Sequence, residues 1–249
     1  MHLSVIMVIT SKSNPLIKEI AKLNDKKFRR LKGEYIVEGI KTVRECIAAG
    51  CKIKYIICTE ELSDEFCEAV YVSRSVFESI SSEKTPQGVL AVVEMKENKL
   101  VPPEKSCILL DCLQDPGNLG TVIRTANAAG YSEIYLINCT DPYSPKAVRA
   151  SMSGIFFVKV FQGGREEILN VLKDVPLICA DMGGENIFLF NPPGKFCLCV
   201  GNEGGGISDE IISVAEYKVK IPMSDTCESL NAAVSAGIAM YQLKYDRMR

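Results

Sequence analysis

The sequence predicts an α/β protein in two parts: a small α/β domain over residues 1–95 and a larger one over 107–249, whose sheet is mostly parallel with helices on both faces. Three observations carry this. Short apolar runs alternate with helix-period segments along the chain. In MKENKLVPPEKS, residues 95–106, hydrophobicity falls, charges cluster and two prolines stand together, so 96–106 reads as a linker. Beyond it the alternation of strand and helix restarts.

The elements follow in order. Asn14 before Pro15 is a helix start, and Leu16, Ile17, Ile20 and Leu23 form its apolar stripe up to about Asn24. KKFRRLKGEYIVEG reads as a basic loop entering a strand at Tyr35 to Glu38, and IKTVRECIAAG as a helix closed by Gly50. IKYIIC (53–58) and GVLAVVE (88–94) read as buried strands, with helical segments around 62–69 and 74–81 between them. In the second part come strand CILLD (107–111), a helix near 118–129 closed by Gly130, strand IYLI (134–137), and a final helix at about 229–245.

Composition removes several function classes. At 249 residues and 47% hydrophobic content the chain has ample core, yet no apolar run approaches the roughly 20 residues of a membrane span. MHLSVIMVIT lacks a basic front and a small-residue cleavage site, so no signal peptide is read and a cytoplasmic location is expected. Eleven cysteines without a CxxC pair suit small core residues in a reducing compartment, and no metal site is expected. With His2 as the one histidine, a Ser-His-Asp or Cys-His reaction centre has nothing to build on. Net charge is −2, but Lys12 to Lys54 holds 12 Lys or Arg against 5 Asp or Glu, while residues 55–249 hold 17 against 26. That asymmetry fits an RNA-facing segment on an acidic body, and equally a solvated helix surface.

VGNEGGGISDE, residues 200–210, joins the strand-like FCLCV to a helix. As a phosphate loop it fails: the GxGxxG frame from Gly201 meets Glu203, the frame from Gly204 meets Asp209, and no GK[ST] occurs. Acids at a helix N-terminus compete for the amides a phosphate needs, and Ser208 reads instead as a cap with Asp209 and Glu210 in the first turn. Two readings remain: a tight turn with capping acids, or a loop for an uncharged or cationic ligand with hydroxyls and a flat base. S-adenosylmethionine has those properties.

Two further stretches bear on the choice. LLDCLQDPGNLGTVIRTANAAG (109–130) runs from a strand end through a turn into a helix bearing Asn118 and Arg124, the position where open α/β sheets place sites. A surface salt bridge is the commoner fate of a lone helix arginine. In IPMSDTCESLNAAVSAGIAMYQLKY (221–245), Glu228, Ser229 and Asn231 cluster before an apolar helix whose small residues serve either core packing or a subunit contact.

Together DPGNLGTVIRTA, GNEGGGIS and IPM…ESLNAAV, with SPKAVRASMSG at 144–154, resemble the SpoU (TrmH-type) family of RNA ribose 2′-O-methyltransferases within the SPOUT superfamily. SNPLIKEIAKL…YIVEGIKTVREC is similar to that family's substrate-binding domain, a ribosomal-protein-like α/β fold. The resemblance implies a deep trefoil knot in the C-terminal domain, S-adenosylmethionine as cofactor, a homodimer, and methyl transfer to a ribose 2′-hydroxyl of rRNA or tRNA. It places cofactor contacts at Gly201, Asn202, Gly204, Ile221, Met223 and Leu230, and active-site roles at Asn118, Arg124, Glu203, Ser229 and Asn231. A guanidinium is a poor base, so Arg124 is read as a phosphate clamp and alkoxide stabiliser. Because the reacting group is a 2′-hydroxyl the substrate is RNA, and phosphate contacts are expected from Lys26, Lys27, Arg29, Arg30 and Lys32, with Arg149 added. The alternative is an RNA-binding protein that keeps the scaffold without catalysis.

Overall fold

Asn14 opens the first helix with its side chain, Oδ1 accepting from the Leu16 amide at 2.9 Å while Pro15 fills the first helical position. The structure, a computed structural model, describes residues 7–202 and 204–244; Glu203 and His2 lie outside the described residues. By residue contacts the chain forms two units, one of residues up to Lys96 together with Tyr143–Arg149, the other of Glu97–Pro142 with residues from Ala150 on.

The first unit contains β1 (Val8–Ile9), α1 (Pro15–Lys22), α2 (Lys26–Lys32), β2 (Glu34–Glu38), α3 (Ile40–Ala48), β3 (Ile53–Thr59), β4 (Val70–Val72), α4 (Arg74–Ile80) and β5 (Val89–Glu94). Its sheet runs β1-β4-β3-β5-β2, with β5 antiparallel to both its neighbours and the other pairs parallel. Ile17 and Ile20 of α1 pack on Phe77, Leu90 and Val92 as one buried cluster. The basic loop expected at KKFRRLK is instead α2: Asp25 Oδ1 accepts from the Phe28 amide at 3.0 Å, and Gly33, at φ 64°, ends it. Lysine and arginine in its last turn suit the negative end of the helix dipole. The helix expected at 62–69 is only a single tight turn at Glu60–Leu62, followed by β4, whose three residues are too few to show a period.

The remaining elements are β6 (Cys107–Asp111), α5 (Pro116–Ala128), β7 (Glu133–Ile137), α6 (Pro145–Ala150), α7 (Gly154–Phe157), β8 (Lys159–Gly163), α8 (Arg165–Leu172), β9 (Leu177–Asn186), β10 (Cys197–Val200), α9 (Asp209–Val214), β11 (Tyr217–Lys220) and α10 (Ala232–Lys244). The second sheet runs β11-β9-β10-β6-β7-β8 with every pair parallel, which places all the strand C-termini along one edge. The cysteines behave as small core residues: Cys107 lies in register with Cys197 and Cys179 with Cys199, all buried, and burial pushes the Cys197 thiol up so that it stays neutral. Among the described residues no helix is long and apolar enough to cross a membrane.

α5 and α10 pack side by side and share their ends. Asp115 caps α5 by accepting from the Asn118 amide at 2.8 Å, and at the other end Lys244 Nζ donates to the Gly130 carbonyl at 2.7 Å while lying 3.9 Å from the centre of the Tyr131 ring. α10 begins three residues later than expected, because Asn231 is its cap rather than part of its first turn: Oδ1 accepts from the amides of Ala233 (3.0 Å) and Val234 (3.3 Å).

Candidate active site

Parallel strands deliver their following loops to a common edge, and here those loops meet. Gly201 and Asn202 after β10, Ile221 and Met223 after β11, and Ser229 and Leu230 before α10 line one cavity of about 270 Å³, just below the roughly 300–1,000 Å³ usual for ligand sites. Ala180, Asp181 and Met182 of β9 complete its wall, and these were not legible as site residues in the sequence. The signal was present in LICADMGG, a buried run ending in an acid and two glycines.

The glycine loop owes its shape to one side chain and one missing one. Asn202 Oδ1 accepts from the amides of Gly204 (2.8 Å) and Gly205 (2.6 Å), while Asn202 and Gly206 exchange backbone bonds at 3.1 and 3.2 Å. Amides that a phosphate would need are thus already engaged, which is why the acidic neighbours do no harm. Gly204 is exposed and off the cavity wall, so the structure does not place it among the cavity residues. Gly201 is required by contact: a Cβ there would lie 2.0 Å from the Gly206 carbonyl oxygen and 2.4 Å from the Ile207 nitrogen. Gly184 does the same where β9 meets β11, with a Cβ falling 2.4 Å from the Val219 nitrogen.

An ion network built on the buried Asp111 holds the base of the loop. Arg165 bridges Asp111 Oδ1 (3.2 Å) and Glu210 Oε1 (3.1 Å), and the Ser208 amide donates to Asp111 Oδ2 at 2.8 Å. Burial alone would raise the Asp111 carboxyl, but hydrogen bonds from Ser208, Cys112 and Arg165 outweigh it and hold the group below its ordinary value. This network therefore contributes at neutral pH and is lost as pH falls through the lowered value. Ser208 occupies the cap position of α9 as expected, but its side chain makes no capping bond; the work falls to Asp111.

Of the expected active-site residues, Asn231 and Asn118 are brought together, Asn231 Nδ2 donating to Asn118 Oδ1 at 3.0 Å. That bond fastens the segment carrying Ser229 and Leu230 to the first turn of α5. Arg124, six residues along α5, is exposed and has no ion pair among the described residues. Its backbone is fixed by close packing: a Cβ on Gly154 would come within 3.0 Å of the Arg124 Cα and 3.2 Å of the Ile123 carbonyl oxygen. The basic set divides. Lys26, Lys27 and Arg30 are exposed, and Lys32 is paired with Glu19 at 2.6 Å. Arg29 turns inward, 3% exposed, with Nη1 donating to the Leu23 carbonyl at 2.7 Å, so it is part of the α1–α2 junction rather than of the surface. Arg149 is held within the first unit by Ser82 (2.7 Å) and Glu83 (2.5 Å), which removes it from the free cations as well. Helix period alone does not tell which of several adjacent basic residues points in.

A family model described as the SpoU rRNA Methylase family matches residues 105–241, and one described as an MRM3-like substrate binding domain matches residues 14–91. The chain is 31% identical over 245 residues, 95% of this chain and 98% of the relative, to a 23S rRNA (guanosine(2553)-2'-O)-methyltransferase of Bacillus subtilis (strain 168). It is 28% identical, over 96% of this chain and 92% of the relative, to a 23S rRNA (uridine(2479)-2'-O)-methyltransferase of Streptomyces viridochromogenes. Among solved structures, an AdoMet-bound rRNA methyltransferase from Sinorhizobium meliloti superposes with a TM-score of 0.88 at 28% identity, covering 96% of this chain and 98% of that one. With the family model spanning more than half of its length and the matching blocks gathered around one cavity, the chain belongs to the SpoU rRNA methylase family.

Proposed function

We propose that this protein is an S-adenosylmethionine-dependent methyltransferase that modifies a ribose 2′-hydroxyl of ribosomal RNA. The observation that carries it is the convergence of Gly201, Ile221 and Leu230 on one cavity, joined through Asn231 and Asn118 to the helix of Arg124. The names of the relatives support rRNA over tRNA as the substrate. The cavity suits the cofactor: a bare backbone at Gly201, apolar walls from Ile221, Met223 and Leu230, and the Asp181 carboxylate as an acceptor for hydroxyls. Bound there, S-adenosylmethionine supplies an electrophilic methyl group.

The chain's own residues do the rest. Arg124 clamps the phosphate beside the target ribose and stabilises negative charge developing on its 2′-oxygen. The Asn118–Asn231 bond and Ser229 fix the floor on which the ribose rests, and positioning of the two reactants supplies several kcal/mol of the barrier. Lys26, Lys27 and Arg30, exposed on α2, hold RNA phosphates, while Lys32 is taken up by Glu19. The C-terminal part of the chain forms the family's trefoil knot, and the protein works in the cytoplasm. With Asn118, Arg124 and Asn231 all in place, nothing favours a scaffold without catalysis. The test is incubation with rRNA and methyl-labelled cofactor: label is expected in a 2′-O-methylnucleoside, and label in a base or in none would refute the reading.

The working form is a homodimer joined through α10. This helix is apolar nearly all round: Ala233, Ala236, Met240 and Leu243 face the core, while Val234 (50% exposed) and Tyr241 (42%), with half-buried Ile238 between them, make a second stripe. A helix apolar on both faces calls for a second covering surface. Val234→Glu with Tyr241→Glu is expected to convert a dimer to a monomer in light scattering with little loss of melting temperature; an unchanged dimer mass would place the contact elsewhere.

A further inference from the structure

We propose that Phe28 is a stacking platform for one unpaired RNA base, set in a basic recess between α1 and α2, with Lys18 and Lys22 holding the flanking phosphates. The inference rests on the RNA-modifying reading above and names the kind of RNA the first unit takes: a single strand or an unpaired nucleotide, not a duplex.

The recess has a volume of about 430 Å³, and Ser13, Lys18, Glu19, Lys22, Phe28 and Lys32 line it. Phe28 is half-buried. It packs against the Ile17 and Ile20 cluster on one side and faces the recess with the rest of its ring. The Nζ atoms of Lys22 and Lys32 both lie 5.7 Å from the ring centre. That distance is near the outer limit of a cation–π contact, so moving an ammonium aside costs little. Single-stranded nucleic acid is recognised by this pair of features, a cationic groove for the backbone and an exposed π face for a base. A paired base in a duplex has no free face to offer.

The acid in the recess refines the assignment. Glu19 accepts from Lys32 at 2.6 Å, and that hydrogen bond keeps its carboxyl below the usual range. Lys32 is therefore taken up by Glu19 and is not the cation for the backbone, and a phosphate approaching Glu19 is repelled. Lys18 and Lys22 carry no ion pair among the described residues and are the cations left for the backbone. Ser13, whose hydroxyl shares a 2.7 Å bond with Ser11, offers a neutral polar edge.

The test uses the full chain and fluorescence anisotropy with two probes, a short unstructured single-stranded RNA and an RNA duplex of equal length. Phe28→Leu keeps the apolar packing and removes the π face; Phe28→Tyr keeps both. Phe28→Leu is expected to weaken single-strand binding roughly tenfold or more, with the salt dependence unchanged and duplex binding untouched, and Phe28→Tyr to bind as wild type. Lys18→Ala with Lys22→Ala is expected to flatten the salt dependence by about 0.7 per lost contact. Single-strand affinity unchanged in Phe28→Leu, or an equal loss on both probes, overturns the proposal. Titration with S-adenosylmethionine, whose cavity shares no residue with this recess, reports separately on the enzymatic reading.

Discussion

Arg124→Lys is expected to lower kcat about 100- to 1,000-fold, the usual scale for removing one preorganised charge-stabilising donor, while leaving S-adenosylmethionine affinity within about twofold. The asymmetry follows from where Arg124 sits. It is exposed on α5 and lines no part of the cofactor cavity, so its loss does not touch cofactor binding. Its planar fork can hold a phosphate through two bonds at once and still present a donor to the 2′-oxygen, which a lysine ammonium on its flexible stem cannot reproduce. Stability should change by less than about 0.5 kcal/mol, as for other surface substitutions free of special contacts. Single-turnover transfer and calorimetric titration measure the two quantities. Equal loss of turnover and cofactor affinity would contradict the clamp role.

Gly201→Ala is the second large effect, and it acts on binding first. The added methyl would meet the Gly206 carbonyl oxygen at 2.0 Å, its carbon at 2.1 Å and the Ile207 nitrogen at 2.4 Å, all backbone atoms with no rotamer to yield. The loop must open, breaking the Asn202–Gly206 bridge and moving Asn202 away from the Gly204 and Gly205 amides. Overpacking of this kind costs about 1–3 kcal/mol of stability, and distortion of the cavity wall should lower cofactor affinity by more than tenfold. Gly194→Ala is the control, since a Cβ there meets nothing within 4 Å. Wild-type cofactor affinity in Gly201→Ala would mean that the loop does not shape the site.

The sequence carried most of the second unit because its elements punctuate themselves. CILLD and FCLCV are short buried runs, Pro116 and Gly130 bracket α5, and parallel strands between helices leave few arrangements. α2 was hidden because KKFRRLK offers no apolar stripe, and its helical state comes from the Asp25 cap, the Gly33 stop and tertiary packing of Phe28. The cavity residues that lie in glycine-marked or polar loops were legible. Ala180 to Met182 were not, because these residues from the middle of β9 acquire their role only when the sheet order places β9 beside β10 and β11. Arg165 escaped notice for the same reason: it lies 54 residues from Asp111 in the chain and meets it only across the folded sheet. The inward turn of Arg29 and the pairing of Arg149 show the same limit for charge, since composition reports how many cations a segment holds and not which way they point.

The central claim, that the strand ends of the second unit build one cofactor cavity, is tested most directly by a crystal structure grown with S-adenosylhomocysteine. The account predicts the ligand in contact with Gly201, Ile221 and Leu230, within reach of Asp181 and on the α10 side of the Asn202 loop. A ligand bound on any other surface, or none at saturating concentration, would contradict it.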